Sequence, residues 1–594
     1  MNKNKRKTII LCITLAINLL LTSCQTGSSI KEPPKTDEAA KAQTTFEDFL
    51  MEEFQNSFDD NLLTLHYTLK NPEHYDIEKP EKAFTPLSQE YNEACKEELT
   101  ETQKKLSTID KTLLRKDQQI LYQTMDKYLE QQIALSDYTQ FIHVLGPNTG
   151  ISSNLPLTLA EYAFYSEEDI KDYLSILPQI PALFDEAYQW EESQMQQGYG
   201  LSDFEIQDTI KQIDTFLGDS EDNLLITTFH DRIEEVDGLS KDQTQCYETN
   251  NRQLFSTVVL PAFASLKTKL TLLKNSAPKG KGLSCYEDGE EYYELLIQSM
   301  TFSDRSIDTL IKTMEKRLGQ LTKRILKVSQ TSPEASQIFY TTDQYTSDTP
   351  EQMLDSLKAA MKKDYPELGD ITYRIEPIPN ALKNNSTAAY YMVPPLDSPT
   401  ENRIYYGNNS GSSASLFMTL AHEGYPGHLY QQNYMIKNGL NPIYYVMDIT
   451  GYKEAWAYYV EIDTADYCDF GTYDEEYHDT LTELHRCDLE FSYAISSLVD
   501  LYVNGKGYSR EQVENLIEKY GLDSTSGTAF YEFAIEEPGA YLQYYVGYLE
   551  LLTIRQEEEK TLGDSFDEKT FHTELLNYGP CYFDTLADLM KNES

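Results

Sequence analysis

Apolar residues recur along most of this chain at the three- and four-residue spacing of a helix with one buried face. Phe46, Phe49, Leu50, Phe54 and Phe58 open the pattern, with acidic residues filling the gaps. The same period runs through about 85–145, 165–235, 250–275 and 300–330, which predicts a mainly α protein. It stops at Asn275-Ser276-Ala277-Pro278-Lys279-Gly280-Lys281-Gly282, the best candidate for a boundary or long loop. Between Ile371 and Asn408 the composition turns to Tyr, Ile, Val and Pro. Three short strands are predicted there, at Ile371–Ile375, Ala388–Val393 and Arg403–Tyr406, separated by proline turns. The helical period returns from about Ser413 to the end. A small sheet thus stands directly ahead of the next helix, and a sheet edge can take a peptide as an added strand.

The first residues break this pattern. Lys3, Lys5, Arg6 and Lys7 precede an apolar run from Thr8 to Leu21, and Leu21-Thr22-Ser23-Cys24 follows. The run is shorter than the roughly 20 residues a membrane span needs, and its flanks are those of a secretion signal. Ending on Leu-Thr-Ser-Cys, it resembles the bacterial lipoprotein signal, in which the cysteine is lipidated and becomes the new N-terminus. An ordinary signal with an incidental cysteine is the plainer alternative. The expectation is a signal over 1–23, lipidation at Cys24, and a flexible Ser-, Pro-, Lys- and Thr-containing tether over 24–45. The protein would be anchored at the cell membrane facing outward, a placement that Gln25 fits. The rest exceeds one compact core, so two lobes are expected: a helical one over 46–280 and a catalytic one over 281–594.

The formal net charge of −47 argues against nucleic acid as a partner, while cationic peptides would be attracted. Beyond Cys12 and Cys24, the cysteines (Cys95, Cys246, Cys285, Cys468, Cys487, Cys581) form no Cys-x-x-Cys pair. A cysteine zinc ribbon and a dense disulfide framework are excluded; single bridges stay open.

The chemistry concentrates after the predicted strands, in His422-Glu423-Gly424-Tyr425-Pro426-Gly427-His428. Two histidines with a glutamate beside the first suggest a zinc-protease helix, in which the histidines stand four apart and the glutamate is the base. Here they stand six apart. In an ideal helix a step of six rotates a net angle of about −120°, and the two imidazoles could not share a metal. Pro426 cannot donate to the helix ladder and Gly427 tolerates unusual backbone angles, so a bulge at this point would restore an effective spacing of four. A hydrolytic zinc site needs a third protein ligand. Glu454, in Gly451-Tyr452-Lys453-Glu454-Ala455-Trp456, is the expected one. Glu461, seven residues on and on the same helical side, is expected to orient a histidine from behind. Among the other histidines, only His485 draws attention.

The chain closely resembles the bacterial family called domain of unknown function 885, grouped with zincin-type metallopeptidases. His422 to His428 meet its His-Glu-x-x-Pro-Gly-His motif. Glu454 to Glu461 meet its Glu-Gly-Trp-Ala-x-Tyr-x-Glu motif, with Ala455 for glycine. Asp288-Gly289-Glu290-Glu291-Tyr292-Tyr293 resembles its Asp-Gly-x-x-Tyr-Tyr motif. Pro538 to Gly547, with Arg555 beyond, resembles its C-terminal Pro-Gly-Gln-Ala-x-x-Tyr-x-x-Gly segment, with Ala540 for glutamine. Val499-Asp500-Leu501-Tyr502 departs from the Leu-His-x-x-Gly-Trp pattern of many members. The resemblance implies a two-lobed helical, zincin-like metallopeptidase with one zinc held by His422, His428 and Glu454, and Glu423 as the general base. Tyr544, or its neighbour Tyr541, would donate to a developing oxyanion or contact substrate. Arg555 would hold a substrate carboxylate or pair with a nearby acid. The expected function is hydrolysis of peptide bonds at the cell surface. The alternatives are a non-catalytic peptide-binding lipoprotein and a cell-wall amide hydrolase.

Overall fold

The computed structural model describes residues 36–218, 223–378, 388–407 and 411–591; the signal, Cys24 and Gln25 lie outside the described residues. Helices dominate, and one three-stranded sheet interrupts them. The first helix, Asp37–Asn56, buries Ala39, Phe46, Phe49, Leu50 and Phe54 on the face the apolar spacing predicts. It begins earlier than expected, which corrects the flexible tether over 37–45. Thr36 caps it by accepting from the Ala39 amide, and Asp37 and Glu38 complement the positive end of the helix dipole. No described helix is long and apolar enough to cross a membrane.

Two large apolar cores form. The smaller lies wholly within 62–273 and gathers Tyr162, Tyr173, Phe184, Phe229 and Phe263. The larger joins side chains beyond 290 to Phe46, Leu106, Leu121 and Met125. The first helices of the 46–280 stretch therefore share a core with the second half of the chain. All six described cysteines are free thiols.

The strands are β1 (Tyr373–Pro377), β2 (Ala389–Met392) and β3 (Asn402–Tyr406). β3 is central, parallel to β1 and antiparallel to β2, with Tyr391 opposite Ile404. β2 is consequently an edge strand. Five helices follow that build the site: α1 (Ser413–Glu423), α2 (His428–Lys437), α3 (Thr450–Asp463), α4 (Asp474–Lys506) and α5 (Ala540–Leu562). Ser412 caps α1 by accepting from the Ser415 amide. α3 and α5 cross closely at Ala455 and Gly547, where a Cβ on Gly547 would stand 2.4 Å from that of Ala455.

Candidate metal centre

The turn between α1 and α2 absorbs the two surplus residues between the histidines. The Gly427 amide donates to the Ala421 carbonyl at 2.9 Å and the Tyr430 amide to the Gly424 carbonyl at 3.2 Å, each spanning six residues instead of four. Rather than a bulge inside one helix, the chain breaks into two helices, with Gly424 to Gly427 between them. A Cβ on Gly427 would lie 1.8 Å from the His422 carbonyl oxygen, so only glycine fits the close approach. The Trp456 indole donates to the Pro426 carbonyl at 3.0 Å and ties the turn to α3.

This break turns the two imidazoles toward each other, with ring centres 4.8 Å apart. Glu454 reaches between them from α3: its Oε2 lies 3.2 Å from His422 Nε2 and 3.4 Å from His428 Nε2. The three ligand atoms all fall within 4.8 Å of one another. Tetrahedral bonds of about 2.0–2.2 Å imply ligand separations of about 3.3–3.6 Å, so this donor set fits zinc. On its other side His422 donates from Nδ1 to Glu461 Oε2 at 3.0 Å, which fixes the tautomer that leaves Nε2 facing Glu454. Glu423, the last residue of α1, stands with Oε1 4.0 Å from His422 Nε2. Its other oxygen accepts from the Tyr391 amide of β2 at 2.9 Å.

Three carboxylates converge here on one buried imidazole, and the protonation equilibria reflect it. Burial alone would lower the His422 pKa, but Glu454 and Glu461 outweigh it and raise it well above the ordinary value. Burial works to raise Glu454, yet His428 and His422 hold it far below the usual carboxylate range. Glu423 is raised, chiefly by burial, with His422 and His428 opposing. A carboxylate held as an anion beside two imidazole nitrogens, with a more basic carboxylate next to them, is a donor set that can coordinate a cation and accept a proton from water.

Tyr544, on α5, packs 6.2 Å from the His422 ring, and its phenol is raised by burial and by Glu454 and Glu423. Tyr541 stands further back: Tyr493 of α4 packs against both rings, 5.2 Å from Tyr541 and 5.7 Å from Tyr544. Tyr493 and the Tyr391 amide both escaped sequence reasoning. The predicted strands hinted at the second, but no spacing connects residue 391 to residue 423.

Arg555 requires a correction. Its guanidinium pairs with Asp463 at 2.7 Å, Glu559 at 3.0 Å and Glu568 at 2.5 Å, and donates to the Tyr459 hydroxyl at 2.7 Å. Four of its five N–H donors are committed to these partners, and three acids already balance its charge, so the pairing alternative holds. The same guanidinium is the cation among Asp463, Glu568 and His572, the second group with metal-like proximity. His485 is a buried core histidine whose Nε2 lies 3.3 Å from the Tyr345 hydroxyl, and burial lowers its pKa to about 4.

The departure at Asp500 has a structural use. Asp500 is 4% exposed and accepts from the Tyr293 hydroxyl at 2.6 Å, Asn504 at 2.7 Å and the Gly539 amide at 2.6 Å. It joins the Asp-Gly-x-x-Tyr-Tyr segment to the Pro-Gly turn that launches α5, and so helps set where Tyr544 stands.

The model of the family described as Bacterial protein of unknown function (DUF885) matches residues 75–590. The chain belongs to this family. Among solved structures, a candidate lipoprotein from Colwellia psychrerythraea superposes with a TM-score of 0.80 at 18% identity, covering 93% of this chain and 99% of that one. A candidate lipoprotein of unknown function from Shewanella oneidensis gives 0.62 at 17% identity, covering 91% and 99%. The fold is therefore shared nearly end to end within this group of bacterial proteins. None of the curated proteins matches the chain.

Proposed function

We propose that this DUF885 member is a zinc-dependent peptidase with a two-lobed, zincin-like architecture, anchored through a lipid on Cys24 at the outer face of the cell membrane. The lipoprotein descriptions of the two structural relatives support the anchor. The separations of 3.2 Å and 3.4 Å between the Glu454 oxygen and the two imidazole nitrogens carry the catalytic reading. His422, His428 and Glu454 would hold one zinc ion, and Glu461 keeps His422 in the coordinating tautomer. When bound, zinc supplies Lewis-acid polarisation of the scissile carbonyl and of water. Glu423 takes the proton of the attacking water and delivers it to the leaving amine; its raised pKa suits both transfers. Tyr544 donates to the carbonyl oxygen as negative charge builds there. The outer edge of β2, where the Tyr391 amide already meets Glu423, offers its other backbone groups to an extended peptide.

A non-catalytic peptide-binding lipoprotein or a cell-wall amide hydrolase would use the same cleft. The deciding experiment measures zinc content and hydrolysis of a mixed peptide library by the purified chain and by Glu423→Gln. The expected result is one zinc per chain in both proteins, with turnover reduced by about 100- to 10,000-fold in the variant. Zinc with no hydrolysis of peptides by the natural chain would favour the alternatives. No zinc in either would end the metal reading.

A further inference from the structure

An excess of carboxylates outside the metal centre lies in a cavity of about 270 Å³ lined by residues from 141–205, 280–296 and 535–538 and by Asn504. Three carboxylates face it, those of Glu205, Glu536 and Glu537. Glu205 is 6% exposed and accepts from the Ser202 amide at 2.7 Å, and His143 acts on it electrostatically. Glu536 accepts from Asn148 at 3.1 Å and Glu537 from Thr149 at 3.0 Å, both neutral donors. None of the three makes an ion pair among the described residues. The cations at the wall are shared or turned away: His143 is bonded to Glu191 at 2.9 Å and divides its attraction between that residue and Glu205, and the exposed Lys281 donates to the Cys285 carbonyl at 3.0 Å. Burial, together with the neighbouring carboxylates, raises Glu536 to about 7.

Part of the remaining wall is aromatic. Phe141 stacks on Tyr292 at 4.7 Å and Tyr199 on Tyr286 at 5.5 Å, and Phe141 meets Tyr199 edge-on at 5.3 Å. The Lys281 ammonium already sits 3.8 Å from the centre of the Tyr286 ring, so this wall accepts a cation on its face. Carboxylates in excess of the cations at the wall, combined with aromatic faces and room for a small molecule, favour a cation with an apolar body. A bare metal ion is the poorer fit, because the three carboxylates do not bring oxygens within 4.8 Å of one another, as the ligands of the metal centre do.

We infer that this cavity is a second binding site, for an organic cation bearing a guanidinium or ammonium group on an apolar body. The guanidinium or ammonium meets Glu205, Glu536 and Glu537, and the apolar part lies on Phe141, Tyr199 and Tyr292. Binding here does not depend on the peptidase reading, because no residue of the metal centre lines the cavity.

Calorimetric titration of the full chain with benzylguanidine, and with the neutral isostere benzylurea, tests the site. One molecule of benzylguanidine per chain is expected, at least about tenfold tighter than benzylurea, since only the guanidinium can pair with the carboxylates. Glu536→Gln and Glu537→Gln, at half-buried side chains with one neutral donor each, should each weaken benzylguanidine about tenfold while the thermal melt stays unchanged. Glu423→Gln should leave the titration unaltered. Equal binding of the two probes, no binding, or insensitivity to both cavity substitutions would overturn the inference. So would loss of binding in Glu423→Gln, which would move the probe to the metal centre.

Discussion

At the scale of single residues, the candidate metal centre is a problem of charge. Glu454 sits between two imidazoles, Glu461 backs one of them, and Glu423 waits beside it with a raised pKa. The tyrosines are the open part of this set. Tyr544 stands against His422, whereas Tyr541 is reached through Tyr493. Removing the Tyr544 hydroxyl leaves its ring packing in place, so Tyr544→Phe should fold and retain zinc. Its turnover should fall by about 100- to 1000-fold with little change in KM, the signature of a donor used only in the transition state. Tyr541→Phe should lose far less. Steady-state kinetics on a cleaved peptide decide the matter, and unchanged turnover in Tyr544→Phe would remove the tyrosine from the mechanism. Arg555 shows where residue-level reading stops. Its motif position invited a substrate carboxylate, but three acids from α3, α5 and the following helix already surround it.

At the scale of elements, the decisive feature is the broken junction between α1 and α2. Gly427 packs its Cα against the His422 carbonyl, where any Cβ would intrude to 1.8 Å, and that carbonyl belongs to backbone that cannot swing aside. Gly427→Ala should therefore separate the two histidines. A loss of stability on the order of 3–5 kcal/mol is expected, with zinc affinity reduced at least about tenfold. Gly319→Ala supplies the contrast: the residue lies inside the helix Ile307–Thr331, and an added Cβ would meet nothing within 4 Å. Alanine there should stabilise by about 0.5–1 kcal/mol. Denaturant unfolding and zinc competition measure both. Zinc affinity of Gly427→Ala equal to that of the natural chain would mean that the turn does not position the ligands.

At the scale of the whole molecule, the formal net charge of −47 makes self-repulsion a general destabilising force. Adding sodium chloride from about 20 to 300 mM should raise the melting temperature, since the Debye length falls below the spacing of surface charges. Acidity should act in the same direction over one window. Burial raises Asp500 to about 6, above the ordinary aspartate value of 3.8, so the folded chain binds this proton more tightly than the unfolded chain does. Its stabilisation is complete below about pH 4 and is lost as pH rises through about 6, a span worth on the order of 3 kcal/mol. Unfolding free energies measured between about pH 4.5 and 7 should show this falling slope in the natural chain and a flatter one in Asp500→Asn. Parallel slopes would assign the pH dependence to other groups.

How much was legible beforehand follows from the range of the forces involved. The helical period of Phe46, Phe49, Leu50 and Phe54, the three strands, and a disruption of the helix ladder at Pro426-Gly427 are local consequences of residue size, branching and missing donors, so the sequence by itself determined them, although the expected bulge is a break between two helices. The assignment of His422, His428 and Glu454 to one point also needed only spacing and motif, because the two segments carry their own ligands. Whether a side chain was free or already paired could not be read this way. The Tyr391 amide on Glu423, the pairing of Arg555 with Asp463, and the link from Tyr293 through Asp500 to Gly539 join residues 32 to 207 positions apart. Such contacts depend on how helices and the sheet edge pack, and packing is a property of the assembled surface, not of any segment that contributes to it. Only the tertiary structure decided them.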